Sequence, residues 1–326
     1  MKTTWISAGI ITCFVMSVQA QSSVGEVPKG KAIVQVFSNF HSGFGVANDD
    51  RGFELDRSYL GYEYSLGQGL SVKGVMDVGQ SNDVTDYHRI AYIKNAMLTW
   101  KIGDLTFNGG LIPTIQYSFQ EKFWGYRYII KTFQDEYKFG SSADLGLSVA
   151  YTFTDWLSMD AIIVNGEGYK KIQKNDGMNY GLGATLSPMK GFQIRVYGSL
   201  NESGESGKKD IANLATFIGY KSDKFTLGAE YNSMWNTSYK KGNDQYGYSL
   251  FASTRLTPQI DLYARFDDLY SKHDWNIAQD DRAAILGAQF KFGKYVKIAP
   301  NFRVSMPKAD GASNDYYAYI SCYFGL

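Results

Sequence analysis

The chain is poor in cysteine, proline and histidine: two, six and three residues in 326. Cys13 falls within an apparent export signal, so Cys322 is left alone and no internal disulfide can form. Too few His and Cys are present to build a spaced metal cluster, and no glycine-rich phosphate loop follows a strand. Charge of one sign is also missing. Lys and Arg number 33 and Asp and Glu 32, and without Lys2 the two are equal, so nothing favours a nucleic-acid partner. After residue 20 no apolar run approaches the ~18 residues of a spanning helix. A hydrolase site built on a strand needs His and Ser on one face of it. Here His41 and Ser42 are adjacent and would point to opposite faces, while His88 and His273 fall at strand tops or in loops. No catalytic residue, metal or cofactor is expected, and the chain does not read as an enzyme.

Glycine and aromatics are abundant instead, with 34 Gly, 25 Tyr and 20 Phe. This composition excludes a disordered or collagen-like chain. Residues 1–20 have the form of a signal peptide: Lys2, an apolar core over 6–16, then Val18-Gln19-Ala20 before a cleavage site at Gln21. A lipoprotein signal using Cys13 fits less well, because Thr12 is a poor neighbour and the apolar stretch runs past the cysteine. Residues 21–30 then form a periplasmic N-terminal segment, and 31–326 the folded domain.

That domain alternates throughout. In 225–232 the odd positions are apolar and the even ones polar or glycine; in 260–267 the apolar set is even. Successive strand side chains face opposite sides, so each such segment has one apolar and one polar face. Two kinds of link interleave. Tight ones fall at 66–69, 103–104, 154–155, 188–191, 222–223, 257–258 and 293–294. Long polar ones fall at 43–51, 81–88, 113–143, 166–177, 201–209, 234–243, 269–281 and 304–314. This spacing predicts an all-β protein: a sixteen-stranded antiparallel transmembrane barrel with short periplasmic turns and long extracellular loops. Trp100, Phe153, Trp156, Phe192, Tyr220, Phe225, Phe292 and Phe324 cluster near the turns or the C-terminus, as an interfacial girdle would. On the last strand Ala318, Ile320, Cys322, Phe324 and Leu326 share one face, so Cys322 is expected to face lipid.

The polar faces carry Arg57, Lys73, Arg195, Arg255, Arg265, Lys291, Lys297 and Arg303 against Glu63, Asp77, Asp160, Glu230, Asp261 and Asp267. A barrel of this size is too wide for side chains to fill, so an aqueous channel is expected. Loop 113–143 is the longest link and is rich in apolar and aromatic residues, which suits folding inward as the constriction. The expected pore residues are Lys122, Arg127 and Lys131 on that loop, with Arg57, Lys73, Arg195, Arg265 and Arg303 on the wall. Arg127 either faces solute, its stem held by Trp124 and Tyr126, or pairs with Glu121 or wall acids such as Asp77 and only anchors the loop.

Several short segments resemble bacterial outer-membrane porins, in particular the phosphate-selective porin O and P-like group of Bacteroidetes. They are 35–40 (QVFSNF), 57–62 (RSYLGY), 124–127 (WGYR), 142–146 (SADLG), 165–169 (NGEGY) and 299–301 (APN). The resemblance implies passive diffusion of small hydrophilic solutes through a homotrimer that favours anions or phosphate, set among outer-membrane lipid and lipopolysaccharide. The arginine ladder and lysine cluster that bind phosphate in the selective members have no matching run here. The other reading left open is a surface adhesin or structural barrel with a closed lumen.

Overall fold

The computed structural model describes residues 29–80 and 88–326. The expected signal, most of segment 21–30 and most of link 81–88 lie outside the described residues. Sixteen strands follow in order: β1 Gly30–Gly45, β2 Arg51–Gly67, β3 Leu70–Gln80, β4 Arg89–Ile102, β5 Leu105–Pro113, β6 Ala143–Thr154, β7 Leu157–Val164, β8 Asn179–Met189, β9 Phe192–Asn201, β10 Ile211–Lys221, β11 Phe225–Trp235, β12 Gln245–Thr257, β13 Ile260–Ser271, β14 Asp281–Phe292, β15 Val296–Pro307 and β16 Asp315–Gly325. Each pairs antiparallel with its sequence neighbours, and β16 returns to β1 in register from Gln35↔Gly325 to Gly45↔Asp315. Closure matters physically, because an open edge would leave backbone N–H and C=O groups unpaired in hydrocarbon.

Strand β7 is shortest at eight residues and β2 longest at seventeen, bracketing the ~9–11 that a tilted strand needs to cross a bilayer. The first long link proves tighter than the expected 43–51. Strands β1 and β2 run on until only 46–50 remains, closed by the Gly43 N–H donating to the Asp50 carbonyl at 2.7 Å. Where β2 turns into β3, Gly67 and Gly69 take φ of 86° and 76°, a left-handed conformation that glycine adopts without a Cβ clash.

The alternation sorts side chains as the sequence indicates. Leu145, Leu227 and Leu262 point outward and are exposed, whereas Thr226, Glu230, Asp261 and Arg265 point inward and are buried. Trp100, Phe107, Phe153, Trp156, Phe225, Phe292 and Phe324 form an exposed aromatic band at the turn end. Phe53, Tyr180, Tyr231, Trp235 and Tyr316 do so at the loop end. An apolar outer belt between two aromatic bands is the surface a bilayer solvates.

The apolar core lies inside the barrel. The 114–142 segment joining β5 to β6 carries two short helices, α1 Ser118–Trp124 and α2 Phe133–Glu136, and packs on inward side chains of the wall. Helix α1 stops at Gly125, whose φ of 77° lets its N–H cap the Glu121 carbonyl at 2.9 Å.

Candidate channel constriction

Two forces hold the 114–142 segment in the lumen. The first is apolar burial. Phe123 meets Phe217 at 4.8 Å between ring centroids, Trp124 meets Phe251 at 5.1 Å and Tyr126 meets Tyr263 at 4.8 Å. Phe133 and Phe139 pack with Met234 and Leu269. These wall partners lie on β10–β13, while Tyr128 of the segment reaches across to Phe37 on β1 and Tyr323 on β16. The second force is a set of basic and amide side chains that reach from the wall to its backbone carbonyls. Arg195 donates to Ile115 O at 3.0 Å, Arg303 to Ile129 O at 2.9 Å, Arg265 to Lys131 O and Gln245 to Tyr137 O at 3.3 Å. Lys221 donates to the Lys122 and Phe123 carbonyls at 3.3 and 3.2 Å.

The expected site residues therefore divide. Arg195 and Arg265 were expected to face solute, but their side chains are only 2% exposed. Arg195 is bidentate on Asp160 at 2.7 and 2.8 Å; Arg265 pairs with Asp267 at 2.6 Å. A buried guanidinium needs a carboxylate beside it, and each of these two gives one further donor to a loop carbonyl. Arg303 lies 3.7 Å from the Tyr319 ring centroid and is committed to Asn301 and the loop in the same way. Lys131 offers its carbonyl to Arg265 and does not line the open passage. Arg57 pairs with Asp77 at 2.8 Å, and Asp77 also accepts from the Tyr169 hydroxyl at 2.6 Å.

A cavity of about 430 Å³ lies between the segment and the wall made by β1–β4, β15 and β16; a larger one of about 740 Å³ lies toward the loop end, where Glu136, Asp144 and Glu167 are among its lining. The cationic lining of the smaller cavity is Lys73, Lys94, Lys122, Arg127 and Lys297; Glu121 is its one carboxylate. Arg127 bonds Glu121 at 3.0 Å and Asp135 at 3.2 Å. Burial works against its charge, but the carboxylates of Asp135 and Glu121 beside it favour the charged form, and its pKa is raised. Its stem is not held by Trp124 and Tyr126, whose rings turn to the opposite wall. Burial pushes the Tyr117 phenol up as well, so this lining residue adds no negative charge. Among the described residues Lys73, Lys122 and Lys297 have no ion-pair partner.

Two contributors escaped the sequence reading. Lys94 was not assigned to the lumen; it contacts Ser142 and lies 4.2 Å from the Tyr169 ring centroid. Tyr169 belongs to the 165–178 loop, which reaches across to Asp77. The missed signal lay in the wall. Phe217, Phe251, Tyr263, Leu269 and Ile285 occupy inward positions where a water-lined strand would be polar. Of the histidines, His41 sits between Asn39 at 2.9 Å and Asp50 at 3.2 Å. No group of three or more His, Cys, Asp or Glu among the described residues is placed to hold a metal.

No protein-family model and no curated protein matches the chain. Solved structures do. OprB of Pseudomonas putida has a TM-score of 0.72 at 12% identity, covering 91% of this chain and 94% of that one. OmpF of Salmonella typhi, in complex with daunomycin, has a TM-score of 0.71 at 12% identity, covering 91% and 98%. The anion-selective porin of Comamonas acidovorans has a TM-score of 0.70 at 9% identity, covering 92% and 100%. The fold is thus that of the bacterial outer-membrane porins: a closed sixteen-stranded antiparallel barrel.

Proposed function

We propose that the protein is a passive diffusion channel of the outer membrane, with turns in the periplasm and long loops outside, and that it prefers small hydrophilic anions, phosphate among them. The observation that carries this reading is the lining of the smaller cavity. Its cations include three lysines without an ion-pair partner among the described residues, and its one carboxylate is held by Arg127. Wall acids do not cancel that excess, because Asp77, Asp160 and Asp267 are each taken by an arginine. At a narrow passage little water screens these charges, so they weigh more than the chain's total charge of only +1. Lipid and lipopolysaccharide would contact the apolar belt, and the resemblance to trimeric porins adds a homotrimer to the reading.

Reversal potential in a planar bilayer under a KCl gradient tests it. The expected outcome is chloride preferred over potassium, with Lys122→Glu moving the potential toward potassium. Lys122 is exposed on α1, so the change leaves the loop anchors intact. Arg127→Glu is the poorer variant, since a third carboxylate beside Glu121 and Asp135 would unseat the segment. A wild type that prefers potassium ends the anion reading. A barrel that inserts and conducts nothing favours the closed surface barrel instead.

A further inference from the structure

Charge alone does not account for the cavity. Its wall on β1, β2 and β16 is aromatic: Phe37 packs edge-on to Tyr59 at 5.8 Å and tilted against Tyr323 at 5.9 Å. Tyr128 of the inserted segment completes the patch at 5.7 Å from Tyr323 and 6.4 Å from Phe37. Ile33 and Val75 extend it. The strand register sets this patch beside cations. Lys297 is the direct neighbour of Tyr323, Tyr323 of Phe37, and Phe37 of Arg57, so one row across β15, β16, β1 and β2 reads cation, ring, ring, cation. The Lys297 ammonium lies 5.0 Å from the Tyr323 ring centroid and 5.9 Å from that of Tyr128.

A hydrated inorganic anion gains from the lysines and from a tyrosine hydroxyl, but nothing from the apolar ring faces. An organic anion with a flat apolar body uses both. Its carboxylate meets Lys297, Lys122 or Lys73, and its body displaces water from the half-buried rings of Tyr323 and Tyr59, with Phe37 and Val75 buried behind them. Tyr128 does not compete for the polar end, because its hydroxyl is spent on Gln289 at 2.9 Å. We infer that the constriction is a binding subsite for small aromatic carboxylates, which pass this channel in preference to aliphatic carboxylates of equal charge. The inference rests on the anion reading above and adds the solute class.

Benzoate and acetate, as sodium salts, are the probes, added to wild-type channels conducting KCl in a planar bilayer. Benzoate is expected to interrupt the chloride current at millimolar concentration and acetate not to. Tyr323→Ser should raise the half-blocking benzoate concentration about fivefold, the scale of one aromatic contact, with chloride-over-potassium selectivity kept. Tyr323→Phe restores the ring and should restore the block, which separates loss of the subsite from damage to β16. Equal effects of benzoate and acetate on a chloride-selective wild type overturn the inference and leave the anion reading standing. A potassium-selective wild type overturns both.

Discussion

Arg265 and Lys122 carry the same charge and do opposite work, and burial decides between them. Arg265 is enclosed with Asp267 and holds the Lys131 carbonyl; Lys122 is exposed and lines the cavity. Removing one partner of a buried pair strands the other charge, at about 3–5 kcal/mol. Arg265→Met should therefore lower the thermal unfolding midpoint of the barrel. It should also enlarge single-channel conductance, because the segment loses one wall anchor. A variant with unchanged conductance would mean that Arg265 does not hold the segment in place. Neither role was legible from residue type. The sequence identified both as basic residues near the lumen, but exposure and partners are set by chains that meet only in the fold.

Strands and loops differ in how much of themselves they disclose. A strand is a local object: its two faces follow from the period of two, and Leu262 could be assigned to lipid from 260–267 alone. Leu262→Arg should cost about 2–4 kcal/mol near the bilayer midplane, read as a lower urea midpoint for the barrel in vesicles. An unchanged midpoint would contradict the face assignment. The 114–142 segment is different. Its richness in Phe, Trp and Tyr indicated that it would pack on something. Which wall it would choose was written in other elements, as Phe217 on β10, Phe251 on β12 and Tyr263 and Leu269 on β13. Taken singly, each is an irregularity in its strand; as a set on neighbouring strands they are a docking surface. The reach of Tyr169 to Asp77 had no such signature, since one hydroxyl and one carboxylate 92 positions apart leave no pattern.

For the whole molecule, a total charge of only +1 and a basic passage are compatible because wall acids are consumed in pairs. The resulting field is local and must be screened by salt. The Debye length falls from about 10 Å at 0.1 M to about 3 Å at 1 M. Chloride preference should therefore weaken between reversal-potential measurements centred on about 0.1 M and about 1 M KCl. A preference that stays constant would point to direct site binding rather than to the field of the lysines. The sequence by itself determined the barrel. Strand number, the interleaving of turns and loops, the lipid face and the C-terminal strand all follow from alternation and link length, which are properties of neighbouring residues. Tertiary structure alone decided which cations face the passage. That depends on which carboxylate or carbonyl lies opposite each one, and so on a segment that folds back across the lumen onto strands far along the chain.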